Sequence, residues 1–325
     1  MRFVMYGAGA VGASIGGLLH QAGHPTALIA RGRHAEVMAA IGLDLLTPTQ
    51  RVRLPIPVVT HPSELDLDDE DVVLLAMKSQ DTGPALEALA ACGFRGAVVC
   101  AQNGVDNERQ ALRRFERVYG LCVQLPGTFL EPGVVACHGS PALAHLDLGC
   151  YPGGVDDTAV SMAAALRDAG FESEAEADIM AIKHAKLLGN LANALDAAVG
   201  RGAMGSGAAK AARREGRDCF VAAGIACEGQ AEYGERVKNV GIVAIEGITQ
   251  RGSSSWQSLL KGSGSIEADY LNGEIVLLGR LHGVPTPVNA VLQRLANHMA
   301  ANHEPPHSYT LDHIDQLIAA ETSRA

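Results

Sequence analysis

The chain has 325 residues, more than one hydrophobic core comfortably organises, so two domains are expected. With 47% hydrophobic and 19% charged residues and a formal net charge of -10, it is an ordinary globular sequence. That charge argues against non-specific nucleic-acid binding and against an anionic membrane surface. The seven cysteines are widely spaced with no C-x-x-C pair, as expected of reduced thiols in a reducing compartment such as the cytoplasm.

Residues 2–6 form a short apolar run, glycines follow at once, and residues 13–22 have helical character. The uncharged stretch 3–19 mimics a secretory signal, but Gly7, Gly9, Gly12, Gly16 and Gly17 interrupt it. A strand, a tight turn and a helix account for it better. Strands are then predicted at 26–30, 72–77, 97–101 and 118–123, with helices at 33–41, 84–91 and 107–115. This alternation builds a parallel sheet with helices on both faces. The acidic run Glu64, Asp66, Asp68, Asp69, Glu70 and Asp71 lacks calcium-loop spacing and reads as a solvated loop. Further strands are predicted at 134–137, 144–149 and 171–175, with a helix at 158–169.

From residue 179 to 199 the pattern is helical and rich in Ala and Leu, and a glycine-rich loop follows at 200–207. More helices are predicted at 208–230, 266–282 and 287–301. The expected organisation is therefore an α/β, Rossmann-type dinucleotide-binding domain over residues 1–177, followed by an all-helical domain over 178–325. Residues 151–154 read as a turn and the tail from 305 to 325 as a peripheral helix. No partnering cysteine accompanies His298, His303 and His307, so no metal is expected there and they read as surface residues.

Gly7, Ala8, Gly9, Ala10, Val11 and Gly12 spell G-x-G-x-x-G between a strand and a helix, the context its mechanism requires. The first glycine permits the turn, the second lets the backbone approach a pyrophosphate, and the third lets helix and strand pack closely. The helix N-terminus presents free N–H groups to the anion. At the end of the second strand stand Arg31 and Arg33, with no carboxylate, which favours the 2′-phosphate of NADP(H) over the ribose hydroxyls of NAD(H). Lys78 and Asn103 follow two other strands and are placed to meet cofactor or substrate. On a continuous helix, Lys183, Lys186, Asn190 and Asn193 would fall within an arc of about 80°. So narrow a polar stripe on an apolar helix suggests a lined cleft.

The ordered set of these motifs resembles the ketopantoate reductase (2-dehydropantoate 2-reductase) family over essentially the full length. The resemblance rests on the glycine turn, on Met77-Lys78-Ser79-Gln80, Gln102-Asn103-Gly104-Val105 and Lys186-Leu187-Leu188-Gly189-Asn190. It also rests on Ser253-Ser254-Ser255-Trp256-Gln257, the run from Ile266 to Glu274, and His282-Gly283-Val284-Pro285-Thr286-Pro287. It implies NADPH-dependent reduction of a 2-oxo acid to a 2-hydroxy acid, in a cleft between a Rossmann domain and a helical domain. Lys186 matches the general acid and Glu267 a glutamate that hydrogen-bonds the reacting hydroxyl region. Asn190 and Ser255 match substrate-holding groups, Asn103 a residue near nicotinamide and substrate, and Lys78 one near the cofactor. The family's second asparagine falls at Ala194 here, with Asn193 one residue earlier as its stand-in, and Trp256 and Gln257 also depart from the usual run. These departures touch the substrate side, so another carbonyl or imine substrate stays open, as does a non-catalytic NADPH sensor. The expected partner is a small 2-oxo acid, and the expected state a monomer or homodimer.

Overall fold

The computed structural model describes residues 1–248 and 252–323. β1 (Phe3–Tyr6) leads through the glycine turn into α1 (Ala10–Gln21), β2 (Thr26–Ile29) and α2 (Gly32–Ile41). β3 (Leu43–Leu46), β4 (Arg51–Leu54) and β5 (Val58–Val59) come next. They escaped the sequence reading because all three are short and β3 and β4 carry charge; Asp44 and Arg51 pair at 2.8 Å across the β3–β4 ladder. The alternation resumes with β6 (Val72–Leu75), α3 (Thr82–Ala91), β7 (Ala97–Cys100), α4 (Asn107–Leu112) and β8 (Val118–Gln124). β9 (Gly127–Glu131), β10 (Val134–Cys137), β11 (Gly139–Pro141), β12 (His145–Cys150) and α5 (Asp157–Asp168) follow. The remaining elements are α6 (Ile179–Asn190), α7 (Asn193–Ala198), α8 (Gly207–Ala223), α9 (Gln230–Arg236), β13 (Val240–Ile242), α10 (Ser254–Leu260), α11 (Asn272–His282), α12 (Pro287–Ala301) and α13 (Leu311–Thr322).

The main sheet has the order β12-β8-β7-β6-β1-β2-β5, parallel except for β12. Its central strands are unbroken apolar runs because both faces are buried. Phe3, Met5, Leu28, Leu74 and Val99 join one core with Ile15 of α1 and Leu166 of α5. Their neighbours Val4, Ile29, Val73, Leu75 and Val98 join the other with Leu86 and Leu89 of α3. The two-residue period of the strand makes this division. A second sheet, β4-β3-β10-β9, covers the other side of α1. A Cβ on Gly16 would lie 2.5 Å from the Met5 side chain, and one on Gly17 would lie 2.9 Å from Leu45. The glycine pair thus lets one helix pack between two sheets.

Two compact units result: residues 1–183 with 229–250, and 184–228 with 251–325. This departs from the single cut expected near residue 177, because the chain returns to the first unit after α8. There β13 pairs with β11, Tyr233 Oη donates to Gln124 Oε1 at 3.2 Å, and Arg236 bonds Asp147 and Glu176 at 2.8 and 2.6 Å. The expected strand at 171–175 makes only isolated bridges to β12, at Glu172 and Ala175. In the acidic run, Asp71 is not solvated: its buried carboxylate takes the Arg2 guanidinium at 2.9 and 2.5 Å.

The second unit is helical, but its helices are shorter than predicted. The run 179–199 breaks at Leu191 and Ala192 into α6 and α7. The helix expected over 208–230 stops at Ala223, where Gly224 takes the left-handed conformation at φ 65°. The helix expected over 266–282 opens as a 3-10 turn, Glu267–Tyr270, before α11. The glycine loop contains a 3-10 turn, Arg201–Gly205. The tail forms α13, and Arg324 and Ala325 lie outside the described residues.

Buried polar groups pin these pieces together. Asn272 Nδ2 donates to Leu191 O at 3.0 Å, satisfying a carbonyl freed by the α6–α7 break, and to Asn289 Oδ1 at 2.9 Å. The Glu215 carboxylate of α8 accepts from Val288 N at 2.9 Å, Asn289 N at 3.0 Å and Asn289 Nδ2 at 2.7 Å, capping α12 from another helix. Glu215→Ala would strand these buried donors. We expect it to lower stability by about 3 kcal/mol, read as a shift of the urea midpoint at unchanged slope. An unshifted midpoint would mean that water replaces the carboxylate at no cost.

Candidate active site

In the first unit, four of the predicted groups stand at the carboxyl ends of adjacent parallel strands. The glycine turn follows β1, Arg31 follows β2, Lys78 follows β6 and Asn103 follows β7. The chain leaves β1 toward β2 on one side and later adds β6 on the other, so β1/β6 is the topological switch point where such sheets bind ligands.

The turn has the three glycine roles in physical form. Gly7 sits at φ 100°, and a Cβ there would lie 2.5 Å from Met77 N. A Cβ on Gly12 would run into the Gly7 carbonyl oxygen and lie 2.9 Å from Ala76 Cβ. Gly9 differs: a Cβ there meets nothing within 4 Å. Gly9 is also the N-cap of α1, no side chain caps that helix, and its first turn holds no acidic residue. The turn is closely packed at two glycines and open at the third, which fits a dinucleotide pyrophosphate.

Arg31 and Arg33 are both exposed. Arg31 Nη2 bonds Asp81 Oδ2 at 3.2 Å, and Arg33 pairs with Glu36 at 3.1 Å on its own helix. The carboxylate that the sequence lacks after β2 therefore arrives from the 3-10 turn Ser79–Asp81. Lys78 is half-buried at the N-cap of that turn, and Asn103 is half-buried in the turn after β7. A buried network ties the two turns together. Asn107 Nδ2 donates to Ser79 Oγ at 3.2 Å and to Asn103 O at 3.0 Å, Thr82 Oγ1 donates to Asn107 Oδ1 at 2.8 Å, and Gln102 Nε2 donates to Thr82 Oγ1 at 2.7 Å.

In the second unit, Lys186 and Asn190 are half-buried and one turn apart on α6. The break after Asn190 removes Asn193 from their stripe and makes it the first, buried residue of α7. A different contact brings Asn193 beside the serines: Ser253 Oγ donates to Asn193 O at 3.3 Å, and Ser253 N donates to the buried Asp196 Oδ2 at 2.5 Å. Ser253 also caps α10, on which Ser255 is buried. Glu267 is buried at the start of its 3-10 turn, five residues before Asn272, which holds the α6–α7 break.

Lys183 does not line a cleft with Lys186. Its side chain is 3% exposed, and Nζ lies 2.5 Å from Glu108 Oε1, itself 0% exposed. Burial pushes the Glu108 carboxyl above its ordinary range and the Lys183 ammonium opposes that shift. Lys183 is thus the buried partner of Glu108 and not a member of the polar stripe that the helical spacing suggested. Among the described residues, no group of three His, Cys, Asp or Glu side chains is placed to hold a metal.

Residues 3–153 match the family "Ketopantoate reductase PanE/ApbA", and residues 178–300 match its C-terminal counterpart. The chain belongs to the ketopantoate reductase family. It is accordingly an oxidoreductase, and the family's chemistry calls for a nicotinamide dinucleotide, which the turn at Gly7–Gly12 suits. It is 31% identical over 314 residues to a 2-dehydropantoate 2-reductase of Halobacterium salinarum, covering 91% of this chain and 97% of that protein. A 2-dehydropantoate 2-reductase of Pyrococcus horikoshii is 27% identical over 303 residues, covering 91% and 96%. A PanE/ApbA family ketopantoate reductase from Ralstonia eutropha superposes with a TM-score of 0.78 at 28% identity, over 94% of this chain and all of that one. The same fold occurs in a D-mandelate dehydrogenase solved with NADH and anilino(oxo)acetate, with a TM-score of 0.79 at 22% identity, over 93% and 99%.

Within this ketopantoate reductase family member, sequence reading missed His34. Its Nδ1 accepts from Gly133 N at 2.8 Å, so the proton sits on Nε2, which donates to Ala8 O at 2.7 Å in the glycine turn. A lone histidine in the residues after β2 carries no signal that it reaches back to the turn. The Asp81, Asn107 and Asp196 contacts were equally invisible, because each joins segments far apart in the chain.

The turn yields a paired prediction. Gly9→Ala places its methyl in open space at an ordinary backbone angle, φ -75°, so the protein should melt as wild type yet lose about tenfold or more in dinucleotide affinity. Gly12→Ala forces the helix off the strand and should lower the melting temperature as well. Fluorescence titration with NADPH and thermal unfolding check both; wild-type affinity in Gly9→Ala would place the pyrophosphate elsewhere.

Proposed function

We propose that the protein reduces a 2-oxo acid, with 2-dehydropantoate as default substrate, to the 2-hydroxy acid (pantoate) at the expense of NADPH. The observation that carries the reading is the pairing of Lys186 with Asn190, one turn apart on the apolar helix α6, in a chain of this family. Gly7, Ala8, Gly9, Ala10, Val11 and Gly12 would hold the pyrophosphate, Arg31 the 2′-phosphate, and Lys78 and Asn103 the remainder of the dinucleotide. When bound, NADPH supplies the hydride.

Hydride addition to a ketone builds negative charge on its oxygen, and Lys186 relieves that charge by donating a proton. Asn190, Asn193 and Ser255 offer neutral amide and hydroxyl donors to the substrate carboxylate. Glu267 accepts from the hydroxyl that forms. The free state of all seven cysteines supports a reducing compartment, the cytoplasm, and among the described residues no helix is long and apolar enough to cross a membrane.

The Arg31–Asp81 pair favours a second reading of the cofactor. Both side chains are substantially exposed, so the pair holds its geometry with less than about 1 kcal/mol, and an incoming 2′-phosphate would displace Asp81 easily. Ribose hydroxyls would instead find in Asp81 the acceptor that NADH needs.

Lys186→Ala should lower kcat by about 10²- to 10⁴-fold with NADPH affinity retained, measured by stopped-flow absorbance and fluorescence titration. Turnover near wild type would remove Lys186 from the role of general acid. Arg31→Ala should cut the preference for NADPH over NADH by about tenfold, in steady-state assays run with each cofactor. An unchanged ratio, or a wild-type preference for NADH, would favour the Asp81 reading.

A further inference from the structure

Lys183 and Glu108 take no part in the chemistry above, yet they are among the most deeply buried charges of the first unit. Removing an ammonium and a carboxylate from water costs several kcal/mol per ion, and an apolar pair of like volume commonly serves stability as well or better. The pair therefore calls for a reason other than stability. What the ammonium gathers suggests one. Beside its ion pair with Glu108, Nζ donates to Cys100 O at 3.2 Å, Gln102 O at 3.1 Å and Leu121 O at 3.3 Å: the end of β7, the turn that carries Asn103, and β8. Glu108 follows Asn107, whose side chain holds Asn103 O. Two consecutive residues of α4 thus grip the Asn103 turn, one directly and one through Lys183. Lys183 lies on α6 three residues before Lys186, about 60° away around the helix.

We propose that the Lys183–Glu108 pair is a positioning device for the reaction, holding the first turns of α6, the helix along which Lys186 follows, in register with the turn that carries Asn103. The proposal rests on the reading of Lys186 as general acid. Neither Lys183 nor Glu108 touches the reacting atoms; each acts through its neighbour along the chain. Hydride transfer with concerted proton donation needs donor and acceptor aligned closely, and a misplacement of about 1 Å costs about 100-fold.

The test separates positioning from stability. Lys183→Met alone leaves a buried carboxylate unpaired and should lower the melting temperature. Lys183→Met combined with Glu108→Leu removes both charges and should restore it. In the folded double variant, kcat should remain about 10- to 100-fold below wild type, with the NADPH dissociation constant raised by far less, because the glycine turn and Arg31 are separate elements. Wild-type kcat in the double variant would overturn the proposal and leave the pair a structural feature only. If the double variant does not fold, Glu108→Gln, which keeps size and an acceptor, should show the same loss of kcat with a far smaller change in NADPH affinity; wild-type kcat there overturns the proposal equally. Should wild-type protein reduce no 2-oxo acid, the functional reading fails on its own. The register claim is then read from amide hydrogen exchange in the same variants. Faster exchange in both the 102–104 turn and the first turns of α6, at an unchanged melting temperature, supports it, and unchanged exchange overturns it.

Discussion

Burial of both faces of a parallel sheet is the constraint on which the rest of the first unit depends. Strands so covered hold apolar side chains along their length, and β1, β6 and β7 obey, as does β2 after Thr26, whose hydroxyl bonds His24 O. Polar chemistry is pushed to the strand ends. Because these four strands are parallel neighbours, their carboxyl ends share one edge, and the glycine turn, Arg31, Lys78 and Asn103 collect there. Tight packing of Gly7 and Gly12 against the β6 end then leaves Gly9 as the place where backbone meets open space. The geometry of the cofactor side follows from how the sheet hides its faces.

The helical unit solves a different problem. Its helices are short, so their ends bring unsatisfied backbone groups indoors. Asn272 answers the carbonyl of Leu191, Glu215 answers the amides of Val288 and Asn289, and Asp196 answers the amide of Ser253. The residues assigned to the substrate sit beside these repairs. Asn190 and Asn193 flank the α6–α7 break, and Ser255 lies just inside α10. Buried polar groups that answer backbone amides and carbonyls in this way favour a single arrangement.

Repeated apolar runs and the glycine spacing made the sheet, the switch-point turn and the fold class legible from residue identity alone. The order of short motifs made the family legible. The break at Leu191–Ala192 was not, since Ala and Leu both favour helix and Asn272, which takes up the carbonyl freed there, lies 81 residues away. Lys183 looked like a partner of Lys186 because helical spacing cannot show which lysine meets a buried carboxylate, and Glu108 lies on another element. The return of residues 229–250 to the first unit was hidden for the same reason: Arg236 finds Asp147 and Glu176 only after the chain has folded. Local pattern sets the elements, whereas contacts between distant segments decide where helices stop and which charges are neutralised.

The account stands most directly on whether this protein turns over 2-dehydropantoate. The decisive measurement is the loss of NADPH absorbance with purified protein and a panel of 2-oxo acids that includes 2-dehydropantoate, with NADH run in parallel. We predict kcat/KM above about 10⁴ M⁻¹s⁻¹ for 2-dehydropantoate with NADPH, the ordinary range for a physiological substrate. Binding of NADPH without oxidation of it by any member of the panel would contradict the account and point to a different carbonyl or imine substrate, or to a cofactor sensor.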